Sequence, residues 1–371
     1  MKATIDRKAF LAVYGGVAAA APTRSPKAIL CSVLLEVSDD GSFLTATDLE
    51  VQVRCRVPGV QVSRPGSAVL PKEIGRILQS SSDATLDLAV EDDRLTVRGE
   101  HSEFSLPLED AALFPVAGPI EGGRSCEVDA TSLRAAIRRT HYAADVESTR
   151  YALGGALLEC DESAMALVAT DGRRLARQSI AVEDVHLDAI MVAAPVIPLK
   201  ALKLLDKVLA DAEGPVLVTW EAAGAMVRAD GVEVRTRLVE GRFPRYQDVF
   251  PAEGSVRARI AMEAGRLRAA TDQAAIVTSV ESRTVVFRFE AGMLRLAAES
   301  AHVGSSNVEL PIDHDGDSIE VSFDPRYLTE GLKPLEDDAI VTVGLIDAKN
   351  AAVLRTEDGF SYVVMPMTKD K

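Results

Sequence analysis

Apolar and polar positions alternate with period two over "SFLTATDLEVQVRCRV" and "ALLECDESAMALVATD". That spacing belongs to strands that bury one face, and Asp, Gly and Ser break the runs into turns. Between the strand-like runs, apolar residues return at i, i+3 and i+4, as with Ile5 and Leu11. This pattern predicts helices over residues 5–14, 71–78, 128–141, 197–207, 262–273 and 324–333. The first helix of each set carries Asp or Glu near its start, where the helix dipole favours it. The second opens on Pro71, Pro198 or Pro325, a first-turn position where the missing N–H costs nothing.

These elements come in three sets. "TATDLEVQV" (45–53) and "VATDGRRLA" (168–176) spell one turn twice, with Ala46 and Ala169 123 residues apart. A weaker third copy, "LRLAAES", places Ala298 a further 129 residues on. The three helix-opening prolines are separated by two intervals of 127. Phe114-Pro115, Phe243-Pro244 and Met365-Pro366 close the sets, and "IDRKAFLAV", "VDATSLRAA" and "MEAGRLRAA" open them at Ile5, Val128 and Met262. Four landmarks in one order, three times over, define an internal repeat. The reading is three domains, 1–122, 123–251 and 252–371, with boundaries in "AGPIEGGRS" (117–125) and "PAEGSVR" (251–257). The class is α+β, three tandem copies with helices packed on one face of antiparallel sheets.

Composition narrows the function classes. At 371 residues and 47% hydrophobic content the chain has material for several cores and is not disordered. No run approaches the ~18 apolar residues of a membrane span. The N-terminal residues lack a signal-type apolar segment. Cys31, Cys55, Cys126 and Cys160 form no CxxC pair, which points to free thiols in a reducing cytoplasm. The five histidines show no metal-ligand spacing, and neither metal nor cofactor is expected. Net charge is −15, so contact with nucleic acid requires a local exception. The six predicted helices supply one, with 14 Lys/Arg against 8 Asp/Glu, which leaves −21 on the remainder. Lys200, Lys203 and Lys207 fall on one helical face, as do Arg134 and Arg138. Such faces are either simply solvated or a basic surface that attracts phosphates without reading sequence.

"RYALGGALLE", "ATDGRRLA", "LVEGRFPRYQDVFP" and the terminal "YVVMPM" resemble, in order and along the whole chain, the bacterial DNA polymerase III beta subunit, the sliding clamp. The resemblance implies three similar domains per chain and two chains joined head to tail in a closed ring. Helices would line a bore around duplex DNA, with sheets outside. It implies a non-catalytic processivity factor with no cofactor, whose partners are DNA, the replicative polymerase, the clamp loader and repair proteins. Short linear motifs of those partners would dock in a cleft of Leu153, Thr170, Gly172, Arg173, Arg174, Leu175, Pro244, Val249, Val363, Val364, Met365, Pro366 and Met367. Methionine, flexible and polarizable, suits a pocket that accepts several partners. By residues alone, "VVMPM" reads rather as an ordinary terminal strand and Arg173-Arg174 as a solvated turn; the resemblance reverses both. The resemblance also implies DNA-facing Arg24, Arg150 and Lys200, and a ring joint of Phe104 and Leu106 against Ile276 and Val277 of a second subunit.

Some positions depart from the family pattern: Arg173 where His is common, Asp248 where a basic residue is common, Ala152 at an aromatic position, and a terminal "TKDK". They bear on the charge of the cleft rim, on motif preference and on one DNA contact. Enzyme readings find little support. "DHDGD" (313–317) lacks the downstream bidentate Glu of a calcium loop, and "YGGV" at Tyr14 lacks GxGxxG spacing. No GxSxG, HExxH or P-loop is present. The rival readings are a repeat scaffold that never encircles DNA and a hydrolase using scattered carboxylates.

Overall fold

A computed structural model describes residues 1–118, 120, 123–145, 147–148, 152–187, 194–279 and 283–367. All strand pairs identified among these residues are antiparallel, for example Lys2–Asp6 with Thr85–Glu91 and Ala258–Glu263 with Ile340–Leu345. Six α-helices accompany them: α1 (Arg7–Val17), α2 (Glu73–Ser80), α3 (Ala130–Thr140), α4 (Leu199–Val208), α5 (Ala264–Ala275) and α6 (Pro325–Leu332). Each starts one or two residues later than the periodicity predicts, because the opening residues belong to something else. In "IDRKAF" a strand, Lys2–Asp6, runs up to the helix and Asp6 caps it, accepting from the Ala9 N–H at 2.8 Å. Asp129 accepts from Ser132 and Asp324 from Arg326 in the same way, each satisfying a donor the helix cannot. Pro325 is the first residue of α6 and Pro198 caps α4. Pro71 lies just ahead of α2 and accepts from the Ile74 N–H.

The chain forms two compact units, 1–134 with 182–238 and 135–181 with 239–371, so the middle repeat contributes to both. In the first unit, a five-stranded sheet ends on Glu103–Pro107. A nine-stranded sheet joins two repeats where Val232–Arg237 pairs with Val51–Val57. Phe10, Leu35, Leu44, Leu70, Ile74 and Leu78 are fully buried there; each such side chain stabilises by ~1.5–3 kcal/mol. In the second unit, the strands Gly155–Cys160, Ala164–Thr170, Arg174–Ala181 and Phe360–Val364 lie side by side. There Arg174–Ala181 of the second repeat pairs with the last strand of the third. A four-stranded sheet packs Phe287 edge-on against Phe323 with ring centroids 5.5 Å apart. Alternation carries the burial: in Met293–Ser300 every second residue from Leu294 is buried and those between are exposed. Each ATD turn therefore stands where the sheet of one repeat is continued by the next.

Candidate docking site at the second ATD turn

The hairpin from Ala164–Thr170 to Arg174–Ala181 is shaped by short side chains. The Asp171 carboxylate accepts from the N–H groups of Arg173 (2.9 Å) and Arg174 (3.0 Å). The Thr170 hydroxyl accepts from the Gly172 N–H at 3.1 Å and donates to the Arg174 carbonyl at 2.6 Å. Gly172 takes φ +84°, a left-handed conformation that glycine adopts without steric cost.

Arg174 fixes this turn to the rest of the unit. Its guanidinium reaches Asp171 (3.0 Å), Glu330 on α6 (2.5 Å) and the Tyr142 carbonyl (2.9 Å). It lies over the rings of Tyr327 and Tyr142, at 4.8 and 5.5 Å. Burial opposes its charge, but Tyr362, Glu330 and Asp171 outweigh that and raise its pKa further, so it stays protonated. Burial also drives the Tyr142 phenol well above its usual value, keeping it neutral. Arg173 is exposed. Of the two turn arginines, Arg174 is structural and Arg173 is the one a ligand can meet.

The chain's last strand is joined directly to this turn. Leu175 stands opposite Val363 and Arg174 opposite Val364. The Met365 N–H continues the ladder to the Arg173 carbonyl at 2.9 Å, and the Met367 N–H donates to Ser322 at 2.8 Å. Leu175, Thr170, Val363, Val364 and Leu153 are buried. Pro366 is half-buried, whereas Met365, Met367 and Val249 stand exposed. The remaining expected residues approach along the same sheet. The Ala152 N–H bonds the Arg242 carbonyl at 3.3 Å, which ties the segment before Leu153 to "GRFP". Beyond Pro244, buried Tyr246 donates to Glu159 of Gly155–Cys160 at 2.5 Å; burial and this carboxylate push its pKa up to about 12. Reading the sequence missed Asp171, Tyr142, Glu330, Tyr327, Glu159 and Tyr246 as supports. Asp171, Glu159 and Tyr246 lay inside quoted motifs, whereas nothing local marks Glu330.

Arg24 is exposed. Lys200 is not a free cation: its ammonium bonds the Asp48 carboxylate and lies 3.3 Å from the Ala20 carbonyl. Burial raises the pKa of Asp48, but the Lys200 contact and turn N–H groups hold it below its usual range. Arg150 and the "TKDK" residues 368–371 lie outside the described residues. Phe104 and Leu106 lie opposite Val97 and Leu95 on the edge strand Glu103–Pro107. Ile276 caps the end of α5, 74% exposed, with Val277 half-buried beside it. Among the described residues no cluster of His, Cys, Asp and Glu could hold a metal ion, and no helix is long and apolar enough to cross a membrane.

Residues 1–117, 127–245 and 247–368 match the N-terminal, central and C-terminal domains of the DNA polymerase III beta subunit. The beta sliding clamp of Pseudomonas putida is 30% identical over 371 residues, covering 99% of this chain and 100% of that protein. That of Chlamydia pneumoniae is 28% identical over 369 residues, 99% of each. Among solved structures, the DnaN sliding clamp (DNA polymerase III subunit beta) of Pseudomonas aeruginosa bound to griselimycin superposes with a TM-score of 0.90 at 28% identity. The DNA polymerase III beta subunit of Thermotoga maritima does so at 0.87 and 25%. Both comparisons cover 100% of both chains.

Proposed function

We propose, from the premise that this chain belongs to the DNA polymerase III beta subunit family of DNA sliding clamps, how its residues serve that role. It is a non-catalytic processivity factor. Two copies close head to tail into a ring around duplex DNA, and the ring tethers the replicative polymerase. The domains divide near 122/123 and 251/252. The clamp loader, polymerase and repair proteins dock by short motifs on the second-turn site. Leu153, Thr170, Leu175, Val363 and Val364 form its floor; Gly172, Arg173, Pro244, Val249, Met365, Pro366 and Met367 form its rim, and Arg174 positions the turn. The protein works in the cytoplasm, at the nucleoid during replication.

The observation that carries the docking assignment is the bond from the Met365 N–H to the Arg173 carbonyl, which makes the terminal strand and the ATDG turn one surface. Burying one Leu or Phe of a partner there contributes ~1.5–3 kcal/mol, so partners bind modestly and exchange. Arg24, Arg150 and Lys200 face the DNA, and Phe104 and Leu106 of one subunit meet Ile276 and Val277 of the other. Direct affinity for DNA is weak and falls with salt through counterion release; the acidic exterior discourages binding outside the ring.

The test is to load the protein with its clamp loader onto nicked circular DNA and then linearise it. Retention on circles with rapid loss from linear DNA is expected. Equal retention on both would mean that the protein grips DNA instead of encircling it.

A further inference from the structure

The first ATD turn repeats the second bond for bond. The Thr47 hydroxyl donates to the Val51 carbonyl (2.9 Å) and accepts from the Leu49 N–H (3.0 Å). Asp48 accepts from the N–H groups of Glu50 (2.9 Å) and Val51 (2.8 Å). Leu49 holds φ +79° where the second turn has Gly172 at +84°. The Arg237 N–H bonds the Glu50 carbonyl at 2.8 Å, as Met365 bonds Arg173 at 2.9 Å. An ion pair ties each turn to a helix, Asp48 to Lys200 on α4 and Arg174 to Glu330 on α6. The backbone of the docking site is thus built twice.

The side chains on it differ. Where Leu175 faces Val363, Gln52 faces Arg235, and the position of Met365 is taken by Arg237. The linker after each copy also takes another course. In the second copy, Glu159 draws in Tyr246. Its counterpart in the first copy, Glu36, is engaged by Arg54 at 3.3 Å. The first linker lies instead on Gln52 and Arg235. The Ala117 N–H donates to Gln52 Oε1 at 2.8 Å, and Arg235 donates to the carbonyls of Ala117 (2.9 Å) and Gly118. Arg235 is steadied by Glu233 at 2.7 Å, which Arg228 holds from the other side at 2.9 Å. Gln52 and Arg235 thus satisfy both polar groups of one residue's main chain, as a docked partner would require. Beside this strap a cavity of about 270 Å³ remains, lined in part by Leu49, Pro115, Val116, Ile120 and Ala223.

We propose that the first turn is a second docking groove whose occupant is the chain's own strap, residues 115–118. Gln52 and Arg235 hold the strap by its main chain, so each subunit offers one open docking site and not two. The claim of one open site rests on the docking assignment above; occupation of the groove by the strap does not.

Hydrogen exchange on the full-length protein, with titration of a fluorescent pentapeptide carrying Leu and Phe, tests both parts. In the wild type the Ala117 amide should exchange at least tenfold more slowly than an exposed amide, and the peptide should bind at one site per chain. Deleting Met365 to Lys371 should remove that site and leave Ala117 protected. The double substitution Gln52→Leu and Arg235→Val should free Ala117 and open a second peptide site that survives the deletion. An unprotected Ala117 in the wild type overturns the proposal without any variant. So do two peptide sites in the wild type, or a double variant with a freed strap and no second site. A wild type with protected Ala117 and no peptide binding refutes the docking assignment and leaves strap occupation standing.

Discussion

Replacing Arg174 tests whether the proposed docking site is preorganised by one buried cation. Its side chain is 10% exposed, with Asp171 at 19% and Glu330 at 47%. Removing one member of a buried, hydrogen-bonded pair costs ~3–5 kcal/mol. The half-exposed Glu330 contact belongs nearer the surface value of ~0–1 kcal/mol, so most of the loss comes from Asp171 and the Tyr142 carbonyl. Asp171 keeps its two backbone N–H donors, which softens the loss. Arg174→Met should therefore cost about 2–3 kcal/mol of local stability, roughly a 30- to 150-fold rise in opening of the turn. Amide exchange of Met365, whose N–H bonds the turn at Arg173, reads that opening directly. Peptide affinity should fall in parallel. Arg174→Lys should recover less than half, because an ammonium cannot fork between Asp171 and Glu330. Arg173→Ala should leave Met365 exchange within ~0.5 kcal/mol of wild type, as expected of an exposed position. Met365 exchange unchanged by Arg174→Met, or fully restored by Arg174→Lys, would refute the reasoning.

Three further outcomes are expected. Deleting Met365 to Lys371 should abolish binding of a docking peptide while circular dichroism stays close to wild type, since the last strand ends at Val364; unchanged affinity removes the site assignment. Charged replacements of Ile276 and Val277 should give monomers in sedimentation, because exposed Ile276 and half-buried Val277 at the end of α5 form an apolar spot that a second subunit would cover; persistent dimers would place the joint elsewhere. Acid should loosen the second unit. Burial raises the pKa of Asp358, but Thr356 and Arg139 (2.6 Å) outweigh it and hold the carboxyl below its usual range. A depressed carboxyl stabilises the fold above its unfolded pKa of ~3.9, and that share is lost as pH falls through the folded value. Asp358→Asn should flatten the acid slope of a urea midpoint below about pH 4, and an unaltered slope would show that the pair contributes nothing there.

The fold was legible in the sequence because repetition multiplied a weak signal. One period-two run such as "SFLTATDLEVQV" is compatible with many sheets, but three copies in one order leave few arrangements. Helix starts were read early because each predicted span took in residues that lead into the helix, as Ile5 and Asp6 of the strand Lys2–Asp6 do before α1. The shape of the second ATD turn was visible because it depends on neighbours in sequence: Thr170, Asp171, Gly172 and Arg174 bond one another within four residues. Its supports were not visible. Tyr142 and Glu330 lie 32 and 156 residues from Arg174, and no local pattern encodes such a meeting. The same blindness affected charge. Counting cations on helices treats Lys200 as available, whereas Asp48 engages it.

The engagement of Lys200 bears on how the ring holds DNA, and other helix cations share its situation. Arg7 donates to the carbonyls of Asp83 and Leu78, Lys207 to that of Gly15, and Arg268 pairs with Asp337. These helix cations stabilise their own units before they meet any phosphate. They still add to the long-range field. A phosphate contact, however, must compete with a bond already made, and Lys200 would exchange Asp48 for DNA at little net gain. The cations Lys8, Lys72, Arg76, Lys203, Arg266 and Lys333 are exposed, where an approaching phosphate can reach them. Four of these are lysines, which give attraction without register, because an ammonium is a point charge on a flexible stem. A ring that must slide gains from this: strong, oriented guanidinium contacts would slow it at every phosphate. Weak attraction allows sliding, and ring closure retains the DNA. Neither substitutes for the other, so opening the joint proposed at Ile276 and Val277 should release DNA even with every helix cation in place.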